Sequence, residues 1–146
     1  MRVVIDTNQL VAALVRPPEL ATLIMAWESA RFLVIASPAM LNEYQRVLAY
    51  PEIRRLIYPE LIRTFREHLL ADIEVIVPPE TPRLCRDPDD DKVIAAAYYG
   101  LADYLLTVDK DLLDPPVVEM LQACGIDILS ANVLIEQLDN FGHTRL

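Results

Sequence analysis

A short apolar run opens the chain and ends in three small polar residues: Arg2-Val3-Val4-Ile5-Asp6-Thr7-Asn8. The β-branched residues of this run are typical of a buried strand, whereas aspartate, threonine and asparagine favour turns and helix caps. We therefore predict a strand over residues 2–5 and a helix over residues 8–15. Asp6 then stands at the carboxyl end of the first strand.

The same alternation of strand and helix continues along the chain. Further apolar runs predict strands over 32–36, 73–77, 104–108 and 126–129. Caps, prolines and apolar periodicity predict helices over 19–30, 38–49, 52–57, 60–71, 87–99, 117–125 and 130–138. Because the strands are apolar on both faces, we expect an α/β fold of three layers, α/β/α, around a five-stranded parallel sheet.

The composition fits a single globular domain. The chain has 146 residues, of which 53% are hydrophobic and 24% are charged. We place the domain over 1–138 and a C-terminal tail over 139–146. The longest stretch without a charge, 32–42, is much shorter than the ~20 apolar residues of a membrane-spanning helix. The first residues also lack the pattern of a secretory signal, so we expect a cytoplasmic protein.

Scarce residue types exclude several kinds of site. The 3 glycines do not cluster, so neither a P-loop nor a dinucleotide-binding turn is present. Cys85 and Cys124 lie far apart without a Cys-x-x-Cys pattern, and we expect both to be free thiols. His68 and His143 cannot form a His-Glu-x-x-His zinc site, and a serine–histidine triad is disfavoured. The chemistry of this chain therefore falls to its carboxylates.

Acidic residues stand where a parallel sheet binds ligands, beyond the carboxyl ends of its strands. Asp6 and Asp109 follow predicted strands, although each position is also typical of a helix cap or a turn. Glu43 lies along the apolar stripe of its helix, or at the edge of that stripe with access to solvent. Asp91 shares a helix face with apolar residues that should pack on the sheet, whereas Asp89 and Asp90 suit the first turn of a helix.

Carboxylates gathered at one edge of a sheet repel one another, and some become protonated at neutral pH. A divalent cation removes this repulsion. Ligation by oxygen alone, without histidine or cysteine, favours Mg²⁺ or Mn²⁺ over zinc. The reaction class that follows is metal-assisted hydrolysis of phosphoesters.

The order and spacing of four segments, 3–8, 37–44, 87–97 and 102–112, are specific when they are taken together. Their most informative parts are Ile5-Asp6-Thr7-Asn8, Asn42-Glu43-Tyr44, Asp87-Pro88-Asp89-Asp90-Asp91-Lys92 and Thr107-Val108-Asp109-Lys110-Asp111. In these segments the chain resembles PIN-domain ribonucleases, and most closely the toxins of prokaryotic toxin–antitoxin systems. The resemblance extends from residue 2 to about residue 134.

The resemblance implies a role for particular residues. It assigns the acidic, catalytic metal site to Asp6, Glu43, Asp91 and Asp109. Asn8 would orient the first acid, and the hydroxyl of Thr107 would lie beside the metal. The family's sheet has its first and fourth strands adjacent at the centre, which would bring Asp6 next to Asp109. Gln9 is a departure, because relatives carry a small apolar residue there, and we expect it to alter the substrate groove.

The net charge of −9 is unusual for a protein that binds nucleic acid, since phosphate contacts come mostly from basic residues. Basic residues are nevertheless grouped near the acids. Our candidates for substrate binding are Lys92, Lys110, Arg54 and Arg55, although the two arginines also suit a solvated helix face. The choice of RNA over DNA as substrate comes from the resemblance alone.

The expected protein partners are an antitoxin, which the resemblance implies, and a second copy of the chain. A homodimer or higher oligomer is indicated by the mean hydropathy of +0.26. It is also indicated by an apolar stripe formed by Leu20, Leu23, Ile24 and Trp27, beside Met25.

Three other functions compete with a ribonuclease. A haloacid-dehalogenase-like phosphatase needs a second aspartate two residues after the first, where this chain has Asn8. A phosphoryl-acceptor receiver domain needs an aspartate after the third strand, where this chain has Pro78-Pro79. A PIN fold that serves only as an interaction module would be expected to have lost some of its acids, and here all of them are present.

Overall fold

Five short strands form one sheet, and all of its neighbouring strands are parallel. The structure is a computed structural model that describes residues 1–15 and 17–143, with the backbone alone for 17–20 and 141–143. The strands are β1 (Arg2–Ile5), β2 (Leu33–Ala36), β3 (Glu74–Val75), β4 (Tyr104–Leu106) and β5 (Asp127–Leu129). Their order in the sheet is β3-β2-β1-β4-β5. The predicted three-layer α/β/α class is confirmed.

Helices connect the strands. They are α1 (Thr7–Val15), α2 (Pro17–Glu28), α3 (Pro38–Leu48), α4 (Pro51–Arg54), α5 (Pro59–Thr64), α6 (Asp91–Tyr99), α7 (Pro115–Ala123) and α8 (Ala131–His143). A π-helical turn over Phe65–Leu69 and a 3-10 turn over Leu70–Asp72 follow α5, and a 3-10 turn over Pro88–Asp90 precedes α6.

Several boundaries have a local cause. The Ser37 hydroxyl accepts a hydrogen bond from Met40 N at 3.3 Å and caps α3, with proline at the first helical position. At the end of α6, a Cβ on Gly100 would lie 2.5 Å from Ala96 O and 2.7 Å from Ile35 Cγ2. Only glycine fits this close approach between the helix end and β2.

Other predicted boundaries are wrong. The helix predicted over 60–71 is α only to Thr64 and then becomes π-helical and 3-10. The strand predicted over 73–77 pairs with β2 only at Glu74 and Val75. The last helix was predicted to end at residue 138, but it continues through most of the predicted tail to His143. The rest of that tail, 144–146, lies outside the described residues.

The apolar stripe that indicated an oligomer is part of the core. Leu23, Ile24 and Trp27 are 1%, 4% and 2% exposed, and their helix packs against α1 and α8. Met25 is exposed, and the side chain of Leu20 lies outside the described residues. The stripe therefore does not supply the dimer surface expected from it. In the described part of the chain, no helix combines the length and the apolar character needed to cross a membrane.

The topology determines where a site can form. From β1 the chain adds β2 and β3 on one side, and then crosses to add β4 and β5 on the other. The order therefore changes direction between β1 and β4, whose register pairs Ile5 with Leu106. A crevice opens at the carboxyl ends of strands that flank such a switch point. Asp6 and Thr107 are the first residues beyond these strands.

Candidate active site

A single threonine joins the acids that follow the two central strands. The Thr107 hydroxyl donates a hydrogen bond to Asp6 Oδ2 at 2.8 Å and accepts one from Asp109 N at 3.0 Å. Asp109 Oδ1 in turn accepts from Asp111 N at 2.8 Å. These contacts join Asp6 and Asp109 through one threonine, and the charge of Asp109 raises the pKa of Asp6.

Asp6 is held in an environment that disfavours its charge. The residue is 6% exposed, and burial raises the pKa of its carboxyl above the usual value. The hydrogen bond from Thr107 lowers this pKa, whereas the negative charges of Asp109 and Glu43 raise it further. A buried carboxyl that other carboxylates surround gains from a cation nearby.

Glu43 reaches the same edge of the sheet from α3. The Thr7 hydroxyl, directly after Asp6, donates to Glu43 Oε2 at 2.6 Å. Lys92 Nζ lies 3.2 Å from Glu43 Oε1 and 2.9 Å from Asp89 Oδ1, so an internal lysine already balances part of this negative charge. The structure thus brings Glu43 together with the acids of the central strands, and it adds Thr7 as the residue that orients it.

Tyr44 fixes the backbone beneath these acids. Its side chain is fully buried, and its hydroxyl donates a hydrogen bond to Ile5 O at the end of β1. Burial raises the pKa of this phenol, and the charges of Asp6 and Glu43 raise it further. The hydroxyl therefore stays protonated and remains a donor at physiological pH.

Asp91 and Asp90 have different surroundings. Asp91 is 3% exposed, and its Oδ1 accepts hydrogen bonds from Leu84 N at 3.0 Å and Cys85 N at 2.8 Å. Burial raises the pKa of the Cys85 thiol to about 12, and a hydrogen bond and the charge of Asp91 add to the shift. This carboxylate fastens the loop that precedes α6.

Asp90 lies close to the two aspartates that follow β4, Asp109 and Asp111. Carboxylate oxygens of Asp90, Asp109 and Asp111 all lie within 4.8 Å of one another. Burial raises the pKa of Asp90 to about 7, with further contributions from the charges of Asp109, Asp87, Asp6 and Asp111. Asp90 therefore belongs to the same electrostatic cluster as Asp6.

Sequence reasoning missed Asp90 for a geometric reason. The sequence pattern predicts one α-helix over 87–99, whereas Pro88–Asp90 forms a 3-10 turn in the structure. A 3-10 turn has 3.0 residues per turn instead of the 3.6 of an α-helix, so the directions of the side chains shift. The proline at position 88, inside a run of aspartates, is the local signal that a different first turn was possible.

Asn8 and Gln9, which follow Thr7 in α1, have different surroundings. Asn8 is exposed, and its side chain has no hydrogen bond within the described residues; Thr107 instead supplies the bond to Asp6. Gln9 is 8% exposed, and its Oε1 accepts from Ala131 N at 2.8 Å. Gln9 therefore caps the start of α8, and its expected effect on a substrate groove stays a prediction.

The basic residues predicted to bind substrate differ in their exposure and in their contacts. Lys92 is mostly buried in its ion pairs with Glu43 and Asp89. Lys110 is exposed between Asp109 and Asp111. Arg54 and Arg55 are exposed on and just after α4, and Arg55 Nε donates to Pro51 O at 3.2 Å. Of these side chains, Lys110 is the exposed cation next to the acidic cluster in sequence.

Two comparisons with known proteins bear on this geometry. A family model described as a PIN domain matches residues 2–111. An uncharacterized protein of Methanocaldococcus jannaschii is 32% identical over 115 residues, which cover 77% of this chain and 74% of the relative. The matched family region includes all of the clustered acids described above, from Asp6 to Asp111.

Proposed function

The chain belongs to the PIN-domain family, and from this premise we propose that it is a ribonuclease that hydrolyses RNA phosphodiester bonds with Mg²⁺ or Mn²⁺. The PIN domain is a nuclease-type fold. The observation that carries the proposal is Asp6, a carboxyl at the topological switch point whose pKa is raised first by burial and then by other carboxylates. An all-oxygen donor set of this kind suits a hard divalent cation.

We propose that Asp6, Glu43 and Asp109 hold the cation. We also assign Asp90, just before α6, to the site, because its carboxylate oxygen lies near those of Asp109 and Asp111. To Asp91, the first residue of α6, we assign the fastening of the preceding loop. The bound cation would supply charge neutralisation and a water of lowered pKa.

The neighbouring hydroxyls keep the acids in place while substrate binds. Thr107 holds Asp6, and Thr7 holds Glu43, each through a donated hydrogen bond. The hydrogen bond from Thr107 favours the charged form of Asp6, and the bond from Thr7 fixes the position of Glu43. Carboxylates held in this way lose little conformational freedom when the cation binds.

RNA recognition is proposed to involve Lys110, which is exposed beside the acids, with Arg54 and Arg55 as more distant phosphate contacts. Lys92 is occupied by Glu43 and Asp89, so its contribution is to balance the acids. We further propose a toxin role with a cognate antitoxin. An anionic crevice attracts an arginine or lysine, and an inhibitor is expected to present one to these acids. Self-association into a homodimer stays a prediction.

One observation favours a second candidate, a PIN fold that serves only as an interaction module. The ion pair of Lys92 with Glu43 supplies an internal positive charge where a metal ligand is expected. An internal ion pair of this kind would let the acids persist without a bound cation. The two candidates differ in a single measurable property, which is cleavage of RNA.

The decisive experiment incubates the purified chain with single-stranded RNA in Mg²⁺ or Mn²⁺. Cleavage is expected with either ion, and EDTA should stop it. Asp6→Asn and Asp109→Asn should each abolish cleavage, whereas the matched control Asp127→Asn changes an exposed residue at the amino end of β5 and should keep it. Cleavage that continues in EDTA or in Asp6→Asn would overturn the proposal, and absence of cleavage under every condition would favour the interaction module.

A further inference from the structure

A cavity that none of the clustered acids lines lies where α1 and α3 meet the segment that follows α4. Its volume is about 410 Å³. Apolar walls come from three parts of the chain: Leu14 of α1, Leu48 of α3, and Ile57, Ile62 and Phe65 of the later segment. Cavities that hold small organic ligands have volumes of roughly 300–1,000 Å³, so this one is large enough for such a molecule.

Three of the residues that line the cavity are buried. Leu14, Phe65 and Ile57 are 1%, 3% and 5% exposed, although they line an open space. Protein interiors are normally close-packed, and side chains around a void lose dispersion contacts. A wall of this composition therefore gains stability when an apolar body fills the space.

The backbone changes its helix type at this wall. The α-helical geometry of α5 ends at Thr64, and a π-helical turn begins at Phe65, followed by Arg66. Both of these residues line the cavity. A π-helical turn is rare and is often found at functional sites, because it widens the helix and redirects successive side chains.

The polar lining of the cavity consists of Gln45 and Arg66. Arg66 is exposed and forms no ion pair within the described residues, although the chain carries a net charge of −9. A guanidinium group binds a carboxylate through two parallel hydrogen bonds, which an ammonium group cannot reproduce. Among the described residues that line this cavity, Arg66 is the cation, and it can bind an anionic head group.

We propose that this cavity binds a small amphiphilic anion, a molecule with an apolar body and a single carboxylate. The body occupies the space between Leu14, Leu48 and Phe65, and the carboxylate pairs with Arg66 and accepts from the amide of Gln45. This site is separate from the acidic cluster and does not depend on the proposed ribonuclease activity.

Decanoate is a suitable probe, and 1-decanol is its uncharged counterpart. Binding is measured by calorimetry and by the fluorescence of Trp27, the single tryptophan of the sequence. Its ring centroid lies 6.3 Å from that of Phe65 in an edge-to-face arrangement, so a ligand against Phe65 should change the emission. Saturable binding of one decanoate per chain is expected, with decanol weaker by about tenfold or more.

Two substitutions test the two halves of the ligand. Arg66→Gln should weaken decanoate by about tenfold or more and leave decanol unchanged, whereas Arg63→Gln is the matched control, because Arg63 is exposed on α5 outside the lining. Ile62→Trp fills the cavity and should block both probes. Circular dichroism confirms that each variant is folded.

Absence of saturable decanoate binding would overturn the proposal. So would equal affinity of decanoate for the wild type and for Arg66→Gln. Binding that survives in a folded Ile62→Trp variant would also overturn it, since the ligand would then occupy another surface. The measurement uses binding alone, so its result stands whether or not the chain cleaves RNA.

Discussion

Replacing Asp90 by asparagine is expected to stabilise the metal-free protein and to reduce its stabilisation by Mg²⁺. The pKa of Asp90 is raised from 3.8 to about 7, first by burial and then by the charges of neighbouring aspartates. The folded state therefore binds this proton more tightly than the unfolded state does. Its free energy of unfolding should fall as the pH rises from about 4 to about 7, and asparagine removes the part of this fall that Asp90 causes.

The size of the effect follows from the shift. A pKa change from 3.8 to about 7 corresponds to at most about 4 kcal/mol, since one pKa unit is about 1.4 kcal/mol. Asp90 is partly exposed, and solvent screens its interactions with the other acids. We therefore expect Asp90→Asn to raise the free energy of unfolding at pH 8 by about 1–2 kcal/mol.

The assay is urea unfolding of the wild type, Asp90→Asn and Asp91→Asn at pH 5 and pH 8, in EDTA and in Mg²⁺. Asp91→Asn is the matched control, because an amide Oδ1 can still accept the bonds from Leu84 N and Cys85 N. At a hundredfold excess of Mg²⁺ over its Kd, the wild type should gain about 2.7 kcal/mol. Asp91→Asn should retain most of that gain, and Asp90→Asn should lose most of it.

The opposite pattern would refute this reasoning. If Asp91→Asn lost the Mg²⁺ stabilisation and Asp90→Asn kept it, Asp91 would be the metal ligand, as the family resemblance implies. A metal-free Asp90→Asn variant whose stability falls between pH 5 and pH 8 as steeply as that of the wild type would show that Asp90 does not contribute to the pH dependence.

Three further substitutions test the contacts around the site. In urea unfolding, Thr107→Val should lower the free energy of unfolding by about 1–3 kcal/mol, because Asp6 Oδ2 and Asp109 N lose the hydroxyl that both contact. Thr107→Ser keeps that hydroxyl and should restore most of the loss. Gln9→Ala should accelerate amide hydrogen exchange at Ala131, since it removes the cap of α8; unchanged exchange there would contradict the cap. Tyr44→Phe removes the donor to Ile5 O and should lower the free energy of unfolding by about 1–3 kcal/mol in the same assay. A decrease of less than about 0.3 kcal/mol would show that the carbonyl finds another donor.

The alternation of strands and helices was predictable because it depends on local patterns. The β-branched run of β1, the Ser37 cap and the prolines that begin helices all act within a few residues. The positions of Asp6 and Asp109 were predictable from the same patterns, since Asp6 directly follows β1 and Asp109 comes three residues after the end of β4. Their adjacency needed the order of the strands, which the resemblance implied and the structure confirms.

The rest depended on contacts between distant parts of the chain. The stripe of Leu23, Ile24 and Trp27 shows which face of α2 is apolar, but not which neighbour covers it. In the structure that helix packs against α1 and α8, so the apolar face is internal. Likewise, the contact of Gln9 with Ala131, far along the chain, is visible only in the structure.

The arrangement of threonines beside the acids explains how so many carboxylates can share one crevice. Burial and mutual repulsion raise the pKa values of Asp6 and Asp90 and favour protonation, whereas the Thr107 hydroxyl favours the charge on Asp6. A cation that approaches Asp6 offsets the repulsion from the neighbouring carboxylates, while the Thr107 hydroxyl keeps the acceptor oxygen in place. Thr7 sets the position of Glu43 in the same way, and both threonines lie beside strand ends that the backbone already fixes. The metal affinity of such a site is therefore governed by the hydroxyls and by the depth of burial as much as by the number of acids.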